Sequence, residues 1–246
     1  MDKVVLVTGS GRGIGKKIAE EFAKVGFKVV INYNKSETQA LKLKQELEKI
    51  TDCFAIKCDI TNPDEVNNLV SQTLEKFGKI DILVNNSAIT SDSLFHEKTA
   101  ESFLSVYNTN VVGAFNVSKA VGEIMYKNKS GKIINISSTN GINTYFPMCA
   151  EYDASKSALI SLTHNLAMQF APYVNVNAIA PGFIATESEV KDMDEEYIKS
   201  EEEKILLKRA GTEEDVANLV LFLSSDKANY INNTTIRIDG GLYGSF

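Results

Sequence analysis

Cysteine and histidine are scarce, with three of the first and two of the second in 246 residues. Cys53, Cys58 and Cys149 are odd in number, form no CxxC pair, and have no histidine cluster to join. That argues against both a disulfide scaffold and a zinc site, and no metal is expected. Cys53 and Cys58 bracket the strand-like run "CFAIKC"; their odd separation points them to opposite faces as free buried thiols. Proline is also thin, at four residues, and glycine forms no low-complexity tract or linker. No apolar run reaches the length of a membrane span. The opening "MDKVVLVTGSG" holds a run of five apolar or β-branched residues, Val4 to Thr8, before Gly9, too few for a signal-peptide core. A cytoplasmic protein with no membrane partner is the expectation. Positive charge is lacking too. The net charge is −6, and residues 187–203 carry nine acids against two lysines, which leaves the rest near +1. Without a basic stripe to displace counterions, a nucleic-acid partner is disfavoured. The acidic run reads as a solvated helix.

What is present suffices for one full core, since 43% of the residues are apolar. Short β-branched runs alternate with helical patterns along the whole chain. "KVVLVT" (3–8), "KVVIN" (28–32), "CFAIKC" (53–58), "IDILVNN" (80–86), "KIINIS" (132–137), "VNVNAIA" (174–180) and "TTIRID" (234–239) read as strands. Helices are expected over 14–26, 36–50 and 100–126, after Tyr152, and behind the caps Asn62 and Thr212. This is an α/β pattern: a single-domain, Rossmann-type doubly wound parallel sheet, seven strands flanked by helices on both faces, over 1–246. Ligands of such sheets bind at the carboxyl ends of the strands.

The first strand runs into "TGSGRGIG", placing Gly9, Gly11, Arg12, Gly13, Ile14 and Gly15 between a strand and a helix. Glycines there let backbone approach a pyrophosphate, which then meets the positive end of the helix. A methyltransferase loop or a plain tight turn are the other readings. The second strand ends in Asn32, Tyr33, Asn34 and Lys35, with no acid placed to hold a ribose. Lys35 and Arg12 suit a 2′-phosphate, so NADP (NADPH) is expected over NAD. After the third strand, Asp59 and Ile60 follow; Asp59 either accepts from an adenine amino group or caps the turn. The fourth ends in Asn85, Asn86, Ser87 and Ala88, with paired amides and small neighbours. Asn110 lies in an otherwise apolar helix, which suggests a specific hydrogen bond or simple surface tolerance.

"AEYDASKSALISL" sets Tyr152 four residues before Lys156, one helical turn apart. The pair is either a solvated helix start or an ammonium placed to acidify a phenol. A free tyrosine has a pKa of about 10, and bringing it to about 7 takes roughly 4 kcal/mol of differential stabilisation.

TGxxxGxG (Thr8–Gly15), "NNSA", Asn110, the serines after "IINI", YxxxK and "PGFIAT" (Pro181–Thr186) occur in that order. Together they resemble the short-chain dehydrogenase/reductase family, and most of all its bacterial 3-oxoacyl-acyl-carrier-protein reductases. The resemblance implies hydride transfer between a nicotinamide cofactor and a carbonyl, in fatty acid synthesis for that subgroup. Tyr152 would be the general acid and Lys156 its tuner and ribose holder. Ser138 would bond the carbonyl oxygen and Asn110 would hold a relay water. Tyr152 follows Ser138 by fourteen positions, one more than the commonest family spacing, so Ser137 and Thr139 stay open as alternatives. Cofactor contacts are implied for the glycine loop, for Asn32, Tyr33 and Lys35, and for Asp59 and Ile60. They extend to Asn86, Ser87 and Ala88, and to Pro181, Gly182, Ile184 and Thr186. A substrate lid is implied at about 183–208, and a homotetramer, for which the broad apolar surface of 110–125 offers a face.

The chain departs from that pattern in two places. Relatives carry an Arg-Gly turn before the sixth strand that is implicated in docking the acidic carrier. Here Pro172 and Tyr173 lead straight into the strand, with Lys129 and Lys132 as possible substitutes. The acidic run also falls on the lid. A small-molecule carbonyl such as a sugar, polyol or small ketone is therefore the alternative to an acyl-carrier-linked one. A cofactor-binding regulator without turnover is the remote third.

Overall fold

A computed structural model of the chain describes residues 2–143, 146–186 and 193–243. Its first half is β1 (Val4–Val7), α1 (Gly13–Lys24), β2 (Lys28–Tyr33), α2 (Glu37–Leu47), β3 (Cys53–Lys57) and α3 (Pro63–Phe77). Next come β4 (Ile82–Asn85), α4 (Ala100–Tyr107), α5 (Ala114–Lys127), β5 (Gly131–Ile136) and α6 (Ala150–Phe170). β6 (Val174–Pro181), α7 (Glu195–Glu203), α8 (Glu213–Ser224) and β7 (Thr235–Ile238) close the chain. All seven strands pair in parallel in the order β3-β2-β1-β4-β5-β6-β7. The order reverses between β1 and β4, so the carboxyl ends of those strands flank the switch point.

The strands are mainly apolar because both faces are covered. Val5 and Val7 point to a layer made with Ile18 and Phe22 of α1, Leu43 of α2 and Val220 of α8. Val4 and Leu6 point the other way, to Leu69 of α3, Val121 and Met125 of α5, and Leu166 of α6. Each such side chain contributes about 1.5–3 kcal/mol on leaving water. Cys53 sits in the first layer and Cys58 in the second, as their odd spacing demands. Burial pushes their thiols up to about 11 and about 12. α3 starts as expected: Asn62 Oδ1 accepts from the N–H groups of Asp64 and Glu65, with Pro63 in the first turn.

One helix differs from the expectation. The stretch 100–126 is not continuous, since a π-helical segment, Asn108–Gly113, separates α4 from α5. Propensity carries no mark of this widening; tertiary contacts impose it. Asn110 is drawn inward to bond a loop, and Gly113 lies so close to Ile60 that an added Cβ would come within 2.6 Å of its Cδ1.

A buried polar chain ties the central strands to α6. Asn85 Nδ2 donates to Ser118 Oγ at 2.8 Å and to Asn135 Oδ1 at 2.7 Å. Asn135 Nδ2 donates to Thr163 Oγ1 at 2.9 Å, whose hydroxyl donates on to the Leu159 carbonyl. Removing the middle member strands a donor and an acceptor in the core. Asn135→Leu is expected to cost about 2 kcal/mol, seen in thermal melts as a fall of roughly 4–8 °C.

Candidate active site

The glycine loop after β1 is shaped from beneath by side chains. Thr8 Oγ1 accepts from the N–H groups of Asn86 and Ser87 at 2.9 and 3.1 Å, tying the ends of β1 and β4 together. Asn86 Nδ2 returns bonds to the carbonyls of Thr8 and Gly9, both at 3.1 Å. The glycines allow this approach. A Cβ on Gly15 would come within 2.4 Å of Asn86 Nδ2 and 2.6 Å of the Gly9 carbonyl, and Gly9 itself has a φ of +62°. α1 then begins at Gly13 behind Arg12, with no side-chain cap and no acid in its first turn. Its free N–H groups and the positive end of its dipole face the cradle.

The second and third strand ends divide into scaffold and surface. Asn32 is buried and turned inward: its Oδ1 accepts from Gly9 N–H at 3.2 Å and its Nδ2 donates to the Cys58 carbonyl at 3.1 Å. Its side chain holds the loop rather than facing the cleft. Tyr33 is buried as well, its hydroxyl donating to Glu37 Oε1 at 3.3 Å, and burial raises its pKa. Arg12 and Lys35 are exposed, and neither forms an ion pair among the described residues. Asp59 caps its turn, Oδ1 accepting from the Thr61 N–H and hydroxyl at 2.9 and 2.8 Å. Burial pushes that carboxyl up, but those bonds and one from Asn34 outweigh it and leave the pKa lowered. Ile60 is buried, with Asn116 bonding its carbonyl.

The fifth strand end meets α6. Ser137 donates its hydroxyl to the Lys156 carbonyl at 2.9 Å and is buried, so it is occupied. Ser138 Oγ instead accepts from Asn140 N–H at 3.2 Å, which leaves its proton to donate. Thr139 is buried, at 1% exposure. Of the three hydroxyls at this strand end, Ser138 is the one suited to face a ligand. Tyr152 lies in the first turn of α6, with Lys156 Nζ 5.3 Å from its ring centroid. Lys156 is 2% exposed, and its Nζ donates to the Ile136 carbonyl at 2.7 Å. Burial drags its pKa down to about 7. Asn110 packs against the same turn: Oδ1 accepts from Ile89 N–H at 2.8 Å, and Nδ2 donates to the Ile89 carbonyl and to Ser155 Oγ at 2.9 Å. Ser155 in turn donates to the Tyr152 carbonyl at 2.7 Å. Sequence reading missed the supports Thr8 and Ser155, whose partners lie on other elements or in backbone.

At the sixth strand end, Pro181 and Ile184 are buried, and Gly182 presses on Asp239, where an added Cβ would come within 2.5 Å. Of the lid expected at 183–208, residues 187–192 lie outside the described residues. Among the rest, no residue of α7 is fully buried; Tyr197 meets Phe183 edge-on, ring centroids 6.4 Å apart, and Glu202 Oε1 accepts from Ala210 N–H at 3.1 Å. Lys129, before β5, sets its Nζ 5.7 Å from the ring centroid of Tyr173, beside the turn where the arginine is absent, and Lys132 is the second residue of β5; both stand at the amino edge of the sheet, as does the Pro172–Tyr173 turn. Lys132 is buried there, bonding the Leu223 and Ser225 carbonyls at the end of α8. A cavity lined by Asn140, Phe146, Ala150, Asp153 and Ser157 opens on a different face of α6 from Tyr152 and Lys156. Among the described residues, no helix is long and apolar enough to cross a membrane, and no side-chain group could hold a metal ion.

A family model described as "Enoyl-(Acyl carrier protein) reductase" matches residues 9–243. The chain belongs to the short-chain dehydrogenase/reductase family. It is 39% identical over 248 residues to the 3-oxoacyl-[acyl-carrier-protein] reductase FabG of Staphylococcus epidermidis, covering 99% of this chain and 100% of that one. The 3-oxoacyl-[acyl-carrier-protein] reductase of Synechocystis is 41% identical over 243 residues, 98% of this chain and 96% of the other. Among solved structures, a 3-oxoacyl-[acyl-carrier protein] reductase from Brucella melitensis superposes with a TM-score of 0.91 at 31% identity, covering 98% of this chain and 91% of that one. Levodione reductase follows at 0.88 and 31%, covering 98% and 97%. The protein is an oxidoreductase of the alcohol–carbonyl couple that works with a nicotinamide cofactor.

The residues fit such a cofactor. The glycine cradle leaves room that side chains would fill, beside uncapped helix N–H groups. Lys156 offers a buried amine that donates to the Ile136 carbonyl, an environment that a ribose hydroxyl would complete. With Lys156 near 7 when folded, down from an ordinary 10.5, the unfolded chain binds an extra proton between those limits. The cost of burying this lysine is therefore full below pH 7 and fades as pH rises towards 10.5. Lys156→Met should raise the melting temperature of the cofactor-free protein at pH 7 by several degrees. In paired melts that gain should shrink steadily up to pH 10.

Proposed function

We propose that the protein uses NADPH to reduce the keto group of a 3-oxoacyl chain carried on acyl carrier protein, giving the 3-hydroxyacyl product. The observation that carries this reading is the buried Lys156 amine beside Tyr152, at the serine end of β5, two strands along from the glycine cradle of β1. The bound cofactor supplies the hydride, which raises negative charge on the carbonyl oxygen. Ser138 donates its free proton to that oxygen as a preorganised hydrogen-bond donor. Tyr152 delivers the proton that makes the alcohol. A charged Lys156 close to the ring stabilises the phenolate left behind. Because burial holds Lys156 near the point of losing its charge, the ribose hydroxyls it takes as acceptors also keep it protonated. Asn110 braces the loop after β4 against the Tyr152 turn.

Arg12 and Lys35 take the 2′-phosphate. Gly9, Gly11, Gly13, Ile14 and Gly15 give the pyrophosphate its backbone cradle, with Asp59, Ser87, Ala88, Gly182 and Thr186 along the rest of the cofactor. The single domain carries its lid at about 183–208 and assembles as a cytoplasmic homotetramer. Exposed Leu104, Phe115 and Met168, at 57%, 44% and 64%, support a partner on the α4–α6 face.

A second reading, reduction of a small carbonyl free of any carrier, is favoured by the acidic α7 at the mouth and the lack of an arginine before β6. The family model's description raises enoyl reduction as well, although Ser138 and Tyr152 both serve an oxygen that becomes a hydroxyl. Oxidation of NADPH with carrier-linked 3-oxoacyl and enoyl chains, and with small ketones, separates the three. The 3-oxoacyl substrate should win, by about tenfold or more in kcat/KM over the others, and NADPH over NADH by a similar factor. A preference for ketones overturns the carrier assignment. Tyr152→Phe should abolish nearly all turnover, about a thousandfold, with NADPH affinity within twofold of the parent. Surviving turnover removes Tyr152 from its role.

A further inference from the structure

The two residues either side of Tyr152 are buried carboxylates. Glu151 is fully buried and Asp153 is 8% exposed, in the first turn of a helix whose outer face is solvated. Burying a carboxylate costs several kcal/mol unless it is paired and bonded, so two in successive odd positions demand a reason. Each reaches away from the helix to a different loop.

Glu151 reaches the loop that follows β4. Lys98 Nζ stands 2.7 Å from both of its oxygens; Oε1 takes the aligned hydrogen bond, while Oε2 has the charge beside it but no well-aligned donor. Both side chains are almost wholly out of water, at 7% and 0% exposure. Lys98 also donates to the Ser91 carbonyl at 2.9 Å and to Ser93 Oγ at 3.3 Å, so the amine gathers Ser91–Lys98 onto α6. Ser93 N–H adds a bond to the Met148 carbonyl. Asp153 reaches the loop that follows β5. Its Oδ1 accepts from Asn140 Nδ2 at 2.7 Å and its Oδ2 from Phe146 N–H at 3.1 Å. Asn140 is the residue whose backbone N–H bonds Ser138 Oγ. A chain of bonds thus runs from Asp153 through Asn140 to the serine oxygen.

We propose that Glu151 and Asp153 are positioning residues for the reduction. They clamp the two loops that wall the site onto the single helical turn carrying Tyr152, Glu151 acting through Lys98 and Asp153 through Asn140. The inference rests on the roles given above to Tyr152 and Ser138. Glu151 sets the loop after β4 against the phenol, and Asp153 sets the direction from which Ser138 donates. The charge of Glu151 is cancelled by Lys98, so the clamp brings no net charge to the phenol. A small displacement of either donor costs rate, since a shift of 1 Å in a reacting geometry lowers turnover by about a hundredfold.

The test compares kcat, KM and NADPH affinity of purified variants with melting temperature measured alongside. Asp153→Ala and Asn140→Ala should each lower kcat about tenfold or more at saturating NADPH, with NADPH affinity unchanged. The double variant should be no worse than either single one, because one link is broken only once. Lys98→Met and Glu151→Gln should do the same, again without adding to each other, while Lys98→Arg restores most of kcat. A single break of a buried pair can prevent folding, so the charge-free double K98M/E151Q is made as well; it should fold and stay slow. Asp153→Ala combined with Glu151→Gln should multiply the two losses. Parent-like kcat in the folded variants overturns the proposal, as does a loss that appears only in KM or only tracks melting temperature. Tyr152→Phe runs in parallel. If it retains turnover, the underlying reading fails; if it is dead while the clamp variants are fast, only the clamps fail.

Discussion

A single desolvated amine organises this site. Lys156 is packed beneath the serine end of β5 with its Nζ on the Ile136 carbonyl and its own carbonyl taken by Ser137. No carboxylate forms an ion pair with it among the described residues, which is why burial alone sets its pKa near 7. A carboxylate there would have fixed the charge permanently and turned it away from the phenol. Leaving it out makes the charge responsive to what enters the cleft. The fold supplies this beside the switch point of the sheet, where α6 packs over β5 and β6.

Much of the scaffold around that amine is concerned with holding backbone still. Asn86, Thr8 and Asn32 join the ends of three strands to one glycine loop, and Asn85, Asn135 and Thr163 fasten the middle of the sheet to α6. Side-chain amides suit this work because each offers both donors and an acceptor in one plane. The polar residues nearest the cleft are therefore mostly structural, and the reacting groups are few.

The fold was legible because both faces of the sheet are covered: strands such as "KVVIN" carry consecutive apolar residues at their centre instead of alternating ones. The glycine loop was legible for the same kind of reason, since only glycine tolerates the approach of Asn86 and Ser36 seen there. Side-chain direction was harder to read. Asn32 looked like a cofactor contact and turns inward; Asp59 could have faced the adenine and caps a turn. The π-helical segment left no trace, because helical periodicity survives one widened turn. Glu151 and Lys98 lie 53 positions apart, and no local pattern pairs them. Lys132 read as a charge near the turn before β6, and its burial follows from the Leu223 and Ser225 carbonyls, 91 and 93 positions away, which no local pattern pairs with it.

The acidic α7 also bears on how anything charged approaches. It docks through Tyr197 on Phe183, just past the end of β6, and bears Glu195, Glu196, Glu201, Glu202 and Glu203 within nine residues. Complementary surfaces attract more weakly as ions are added. Here like charges meet, and the Debye length shrinks to about 8 Å at physiological ionic strength. Dissolved salt thus becomes an ally of a polyanionic visitor, while an uncharged molecule crosses the same threshold indifferent to it.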